Sequence, residues 1–339
     1  MTEGTNRQLR LAQRPTGEPT DEIWQYTTEA VPEPGDGQFV VAISHLSLDP
    51  AMRGWLDDRP SYLPPVGIGE VMRALGAGKV VASNHPDFPE GTHVTGTFGA
   101  QEFAVSDGRG ITRVDTGLAP LSTHLGALGM TGMTAYFGLF DVGAMAEGET
   151  VVVSGAAGAV GSVVGQLAKI KGGRAIGIAG GPEKCAWLTE ELGFDAAIDY
   201  RGTEKVSRAL RTACPDGIDV YFDNVGGEIL DAALARLRRG ARVPICGGIS
   251  QYNVEGRPSG PANYLNLIAA RARMEGFLVF DYAARFPAAA AEMAGWLADG
   301  RLVSREHVVE GGLAAFPETF RMLFSGANTG KLVLQITEG

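Results

Sequence analysis

Hydrophobic and polar positions change their rhythm near Met130. Ahead of it, short β-type runs at residues 38–43, 78–82, 93–97 and 102–105 are separated by turn residues, as in Glu33-Pro34-Gly35-Asp36-Gly37 and Asn84-His85-Pro86-Asp87. Many short strands with frequent turns predict a β-rich, barrel-like unit. Beyond Met130, strand-length apolar runs alternate with helical spacing. Strands are predicted at 150–154, 174–179, 196–200, 219–223, 242–246 and 275–280, and helices at 159–171, 182–192, 204–213, 228–237, 263–271 and 284–299. Such alternation means a parallel sheet covered on both faces, and its strand cores lack strict apolar–polar alternation for that reason. β-type runs return at 308–309 and 331–336. The expected fold class is α/β. A β-rich domain covers residues 1–127 and is completed by 300–339, and a doubly wound parallel-sheet domain covers 128–299.

A length of 339 residues suits two domains. The formal net charge of −10, with no cluster of Lys and Arg, argues against nucleic acid as a partner. Residues 1–19 are polar, unlike a signal peptide, and no stretch approaches the roughly 20 apolar residues of a membrane span. Cys185, Cys214 and Cys246 are odd in number and widely spaced, which fits a reducing compartment. A cytoplasmic protein without a membrane partner is expected. No metal is expected either. The first 184 residues hold no cysteine, and His45, His85, His93, His124 and His307 form no closely spaced pair. Zinc-assisted carbonyl chemistry is therefore set aside.

The segment Ser154-Gly155-Ala156-Ala157-Gly158-Ala159-Val160-Gly161 follows a predicted strand and opens a predicted helix. That context gives a relaxed glycine fingerprint its meaning in a Rossmann unit. Gly158 lets backbone approach a pyrophosphate, Gly161 lets helix and strand pack closely, and the helix N-terminus faces the anion. Small residues serving only strand–helix packing are the plain alternative, weakened by the βα units downstream. An NAD site usually carries an acidic residue at the tip of the second strand. Here that strand runs into Gly180-Gly181, and Lys184 follows in the first turn of the next helix. A cation there opposes the helix dipole, which hints at a ligand role. Lys184 and the hydroxyl of Tyr200 suit a 2′-phosphate, so NADPH is expected over NADH.

Together these segments resemble the medium-chain dehydrogenase/reductase superfamily, in its zinc-independent branch of leukotriene B4 12-hydroxydehydrogenase/prostaglandin reductases, alkenal double-bond reductases and curcumin reductases. The resemblance spans nearly the whole chain. It rests on Asp49-Pro50-Ala51-Met52-Arg53-Gly54, Pro65-Val66-Gly67-Ile68-Gly69-Glu70, Leu128-Gly129-Met130-Thr131-Gly132-Met133-Thr134-Ala135-Tyr136, the glycine turn, Phe222-Asp223-Asn224-Val225-Gly226-Gly227, Cys246-Gly247-Gly248-Ile249-Ser250-Gln251-Tyr252-Asn253, Glu275-Gly276-Phe277 and Asn328-Thr329-Gly330-Lys331. It implies a GroES-like first domain, a Rossmann second domain and a nicotinamide in the cleft between them. By matched position, Met130 and Thr134 border the nicotinamide, and Gly158, Ala159, Val160 and Gly161 hold the pyrophosphate. Gly181, Lys184 and Tyr200 surround the 2′-phosphate. Asn224, Cys246, Gly247, Ile249, Tyr252, Phe277, Leu278, Val279 and Asn328 complete the cofactor site. The resemblance also implies a homodimer joined at the Rossmann sheet edge, with the strand at 275–280 as the candidate edge. Two positions depart from the family pattern. Ala51 replaces a frequent aromatic residue, which reshapes the substrate pocket, and Gly181 replaces a frequent Ser, which weakens NADPH preference.

The activity implied is NADPH-dependent reduction of the C=C bond of small α,β-unsaturated ketones and aldehydes. Hydride arriving at Cβ builds negative charge on the carbonyl oxygen, which needs a hydrogen-bond donor, and Cα then needs a proton. Tyr252, after the fifth strand, is the preferred donor. Tyr62, in Pro60-Ser61-Tyr62-Leu63-Pro64-Pro65, is the second candidate, and the cofactor ribose hydroxyl is a third. A packing role for Tyr252 and a surface-loop role for Tyr62 are the plain alternatives. Arg53 either orients a loop or cofactor or forms a structural ion pair, and Trp55 and Leu63 are candidate apolar walls. Two other functions fit less of the pattern: an NADPH:quinone oxidoreductase, and a non-catalytic NADPH-binding sensor.

Overall fold

Val151, Val152 and Val153 are each fully buried, although successive side chains of a strand point to opposite faces. Such a run forms a strand only where both faces are covered. Val151 and Val153 enter one core with Phe137, Val163, Val164, Leu167 and Met293. Val152 enters another with Ile176, Ile178, Leu210, Leu230 and Leu234. Each side chain so buried contributes about 1.5–3 kcal/mol. The computed structural model describes residues 4–202 and 205–337, so Glu204, the expected first residue of one helix, lies outside the described residues.

The chain forms two units, Met1–Leu125 with Glu306–Gly339, and Gly126–Arg305. The first contains strands β1 (Thr5–Leu11), β2 (Trp24–Ala30), β3 (Phe39–Ser47), β4 (Leu75–Ser83), β5 (His93–Thr97), β6 (Phe103–Ser106) and β7 (Thr112–Arg113). The second contains helices α1 (Met130–Phe137), α2 (Gly161–Ile170), α3 (Pro182–Ala186), α4 (Val206–Ala213), α5 (Gly227–Leu234), α6 (Asn266–Ala270) and α7 (Phe286–Ala298). Its strands are β8 (Thr150–Ser154), β9 (Arg174–Ala179), β10 (Ala196–Asp199), β11 (Ile218–Phe222), β12 (Leu237–Ile245) and β13 (Arg273–Gly276). The chain then returns to the first unit with β14 (Glu306–Val309), α8 (Phe316–Ser325) and β15 (Lys331–Gln335).

In the first unit β1 and β2 form an antiparallel hairpin, from Thr5 opposite Ala30 to Leu11 opposite Trp24. The larger sheet runs β14-β15-β3-β4-β5-β7, with β6 also paired to β3. The late strand β15 joins it antiparallel to β3. The join is reinforced by a buried cation. The Lys331 ammonium, 2.8 Å from the Asp49 carboxylate, also donates to the Leu48 carbonyl at 2.8 Å. Ser47 donates a short hydrogen bond to the same carboxylate. A buried charge persists only when paired and hydrogen-bonded in this way.

The second unit's sheet is parallel throughout, in the order β10-β9-β8-β11-β12-β13. Counted within the sheet this is 3-2-1-4-5-6, the doubly wound order whose direction of growth reverses between its first and fourth strands. Ligands of such sheets bind beyond the C-terminal ends of the strands, near that reversal.

The predicted edge strand at 275–280 is corrected. Pairing with β12 runs from Arg273 to Gly276, where the partner is Ile245. Beyond Ile245 the chain turns away, and the N–H groups of Cys246 and Gly247 donate to the Asp223 carbonyl. Residues 277–280 therefore have no strand to pair with. Phe277 meets Phe222 edge to face at 6.3 Å, and a 3-10 turn starts at Val279. Among the described residues, no helix is long and apolar enough to cross a membrane.

Candidate active site

The loops leaving β8, β9, β10, β11 and β12 carry most of the candidate residues. After β8 the glycine turn folds on itself, Gly158 N–H donating to the Gly155 carbonyl at 2.9 Å. A Cβ on Gly161 would come within 2.4 Å of the Gly155 carbonyl oxygen, so α2 can start this close to β8 only from glycine. Ser154, at the end of β8, is fully buried, and its hydroxyl donates to Asp223 at 2.8 Å.

The ends of β9 and β10 lie side by side, Ala179 opposite Asp199. Gly181 adopts φ +95°, a conformation that strains any residue with a Cβ. The Ser often found there in the family would meet that strain. A Cβ on Gly180 would lie 2.9 Å from the Tyr200 hydroxyl and 3.0 Å from Arg201 Nε. The guanidinium of Arg201 lies 5.8 Å from the Tyr200 ring centre. Lys184 joins them from α3. Partial burial holds its pKa below the usual lysine value, and the positive charge of Arg201 adds to the effect. Two cations brought together at cost are what a multiply charged anion would stabilise.

The tip of β9 also receives a carboxylate, which the reading of that strand alone did not anticipate. Asp199, from the neighbouring β10, accepts the N–H of Gly181 at 2.8 Å and that of Arg201 at 2.9 Å. The Gly181 N–H foremost, then those of Arg201 and Gly202, holds its pKa below the usual carboxylate range. Its charge thus serves the turn's own backbone. Asp199 and Arg201 were both missed, although the register that brings residue 199 beside residue 179 follows from adjacent parallel strands.

After β11, Asn224 is fixed by Ser154. Its backbone N–H donates to the Ser154 hydroxyl at 2.9 Å and its side-chain amide to the Ser154 carbonyl at 2.7 Å. After β12, the chain hangs from the same place. Ile249 N–H donates to the Asn224 carbonyl at 3.2 Å and Ser250 N–H to the Val225 carbonyl at 3.1 Å. In this loop the Tyr252 hydroxyl accepts the N–H of Gly248 at 3.1 Å. An oxygen fixed as an acceptor still carries its own proton to donate. A Cβ on Gly247 would lie 2.9 Å from that hydroxyl, so glycine leaves it room. Burial pushes the Cys246 thiol up to about 12, so it stays a neutral, packed group.

Met130 opens α1, and its carbonyl accepts the Thr134 hydroxyl at 2.7 Å. Phe277 crowds Gly138, whose Cβ would lie 2.5 Å from the Phe277 ring. Val279 is buried, while Leu278 is exposed. Tyr62 and Asn328 belong to the other unit. The Tyr62 hydroxyl accepts the Trp55 indole N–H at 3.2 Å, and the Asn328 amide donates to the Gly330 carbonyl at 3.1 Å. Arg53 is buried there, donating to the Gly17 carbonyl and pairing with Asp57 at 2.8 Å, so its observed bonds orient a loop. Among the described residues, no group of three or more His, Cys, Asp and Glu side chains is placed to hold a metal.

Residues 7–114 match a family model described as the N-terminal domain of oxidoreductase, and residues 159–295 one described as zinc-binding dehydrogenase. The NADPH-dependent curcumin reductase of Escherichia coli is 43% identical over 336 residues, 98% of this chain and 97% of that protein. The NADP(+)-dependent 2-alkenal reductase of Nicotiana tabacum is 39% identical over 340 residues, 99% of this chain and 98% of that protein. The crystal structure of CurA from Vibrio vulnificus in complex with NADPH superposes with a TM-score of 0.93 at 44% identity, covering 98% of this chain and 100% of that one. The chain therefore belongs to the zinc-independent medium-chain dehydrogenase/reductase family that includes the curcumin, prostaglandin and 2-alkenal reductases.

Proposed function

We propose that the protein reduces the C=C bond of α,β-unsaturated ketones and aldehydes with NADPH. The observation that carries this reading is the Tyr252 phenol, fixed by the Gly248 N–H in a loop tied to Asn224 at the nucleotide edge of the sheet. The residues present suit the cofactor. The turn at Gly158, Ala159, Val160 and Gly161 offers backbone to a pyrophosphate, and Lys184, Arg201 and the Tyr200 hydroxyl offer charge and a donor to a 2′-phosphate. Asn224, Cys246, Gly247, Ile249 and Phe277 would line the remainder, with Met130 and Thr134 at the nicotinamide. NADPH bound there supplies the hydride for Cβ of the substrate. Tyr252 donates to the carbonyl oxygen as negative charge develops on it, and this is where a pre-positioned donor has its largest effect on rate. Tyr62 is the alternative proton source for Cα.

The relatives support this choice of substrate class, since a 2-alkenal is by its name a conjugated aldehyde. The test is NADPH oxidation with 3-nonen-2-one, the product identified by mass spectrometry, and NADH, a quinone and EDTA in parallel runs. A saturated ketone formed with NADPH and indifferent to EDTA is expected. Turnover of the quinone alone would move the protein to quinone reduction, and NADPH binding without turnover of either would favour a sensor.

We further infer a homodimer joined at the second unit's sheet edge. Every residue of the edge strand β13 is exposed. Around it Ile268 is 75% exposed, and Tyr264, Leu265 and Phe280 are exposed as well. An unpaired strand edge beside apolar side chains is a surface that a second copy would cover. Ile268→Asp is expected to shift the protein from dimer to monomer in analytical ultracentrifugation, and a sedimentation coefficient unchanged from wild type would count against this edge. We place the protein in the cytoplasm, where thiols such as Cys185, Cys214 and Cys246 stay reduced.

A further inference from the structure

The nucleotide reading leaves one buried carboxylate without a role. Asp223, at the end of β11, is 1% exposed. Its side chain accepts the Ser154 hydroxyl at 2.8 Å, the Tyr221 hydroxyl at 3.0 Å, the Val225 N–H at 3.2 Å and the Gly226 N–H at 3.1 Å. Its backbone carbonyl accepts Cys246 N–H at 2.9 Å and Gly247 N–H at 3.1 Å. One residue thus touches the last residue before the glycine turn, the turn that opens α5, and the root of the loop carrying Tyr252. Ser154 extends the connection, because the hydroxyl that donates to Asp223 accepts the backbone N–H of Asn224.

We propose that Asp223 is a positioning residue that holds the three loops after β8, β11 and β12 in one register, and so sets where Asn224 and Tyr252 stand relative to the glycine turn. It makes no contact with the reacting atoms in this role. The inference rests on reading this edge as the NADPH site. The chemistry favours a carboxylate over any neutral side chain. All four groups facing it are donors that meet at Oδ1, with the Gly226 N–H shared by Oδ2, and an ionised carboxylate oxygen is a stronger acceptor for such a cluster than a neutral one. An amide of the same shape would weaken these bonds and turn its NH2 toward the Gly226 N–H. Burial disfavours the ionised form and raises the Asp223 pKa, against the pull of the donors, first among them the Gly226 N–H. A charge retained against that opposition is held by the loops it organises, since a partly satisfied buried network is costly.

The test uses the full-length protein with Asp223→Asn, and Ser154→Ala as a second variant that leaves the carboxylate in place while removing one of its donors together with the acceptor of the Asn224 N–H. Three quantities are measured for each. They are the affinity for adenosine 2′-monophosphate, which carries no part of the pyrophosphate, the kinetics with NADPH and 3-nonen-2-one, and the primary isotope effect with NADPH deuterated at C4. The fragment reports only the Lys184, Tyr200 and Arg201 end of the site, which Asp223 does not touch. Its affinity is expected to stay within about twofold of wild type, while kcat falls and KM for NADPH rises, together by about tenfold or more, and the isotope effect grows. Ser154→Ala moves the same way by less, and it decides the matter if Asp223→Asn does not fold.

Unchanged kcat, KM and isotope effect in a folded Asp223→Asn protein would overturn the inference. So would a loss of fragment affinity in step with a lowered Tm, since that marks general destabilisation. Failure of the wild-type protein to bind either NADPH or the fragment is a separate outcome. It removes the nucleotide reading, and this inference with it, before any variant is compared.

Discussion

Tyr252→Phe is expected to lower kcat about a hundredfold and to leave KM for NADPH within about twofold of wild type, the size of effect seen when one donor to a developing oxyanion is removed. The asymmetry follows from how the loop is held. Its anchors to Asn224 and Val225 are backbone hydrogen bonds that a phenyl ring leaves intact. The Gly248 N–H loses its acceptor, at a cost of about 1 kcal/mol in stability. Steady-state kinetics with 3-nonen-2-one, at several NADPH concentrations, separate the two parameters. An unchanged kcat would reduce Tyr252 to packing and pass the donor role to Tyr62 or the ribose hydroxyl.

The second large effect concerns cofactor choice. Lys184→Ala is expected to raise KM for NADPH about tenfold to a hundredfold, the range of a charge-assisted hydrogen bond to phosphate, and to leave KM for NADH nearly unmoved. Arg201→Ala is expected to act in the same direction. The Lys184 pKa adds a pH signature. Burial foremost, and the neighbouring Arg201, hold it below the usual lysine value. As pH climbs through that lowered value the ammonium is lost, so KM for NADPH should rise in alkaline buffer earlier than an ordinary lysine would allow. KM for NADH should stay flat over the same window. Parallel rises for both cofactors, in the variant or in the pH profile, would remove the 2′-phosphate role from Lys184.

Much of the second unit was legible because most of its strands are short apolar runs set between helices, and the doubly wound order follows from that alternation. The glycine turn was legible because Gly158 and Gly161 sit where a strand meets a helix. Helix α1 was not. Thr131, Gly132, Met133, Ala135 and Phe137 are buried around most of its circumference, so no polar face marks a period. Helix α8 carried a usable signal, Pro317 in its first turn and Gly326 in the left-handed conformation after its end. The β-type runs on either side drew the reading away from it. Asp199 and Arg201 escaped because the search for a charged residue followed one strand along the chain, whereas the carboxylate arrives sideways from the next strand. Asp223 stood in plain view between two apolar strand residues and Asn224. What hid it is that its partners, Ser154 and the loop after β12, are distant in sequence and meet only once the sheet is assembled.

The placement of β15 has a consequence for the order in which the protein is made. The second unit is one uninterrupted stretch of chain, whereas the first is split around it and receives β15 from residues 331–335. A ribosome therefore delivers everything the second unit needs while the first still lacks two strands of its sheet, β14 and β15. Until then Asp49 waits without Lys331, the partner that seals β3 against β15. Since domains fold as units during synthesis, the nascent chain meets the cell with its nucleotide-binding half assembled first. In the interval the flank of β3 that β15 will cover stays unpaired, an open strand edge on the nascent chain.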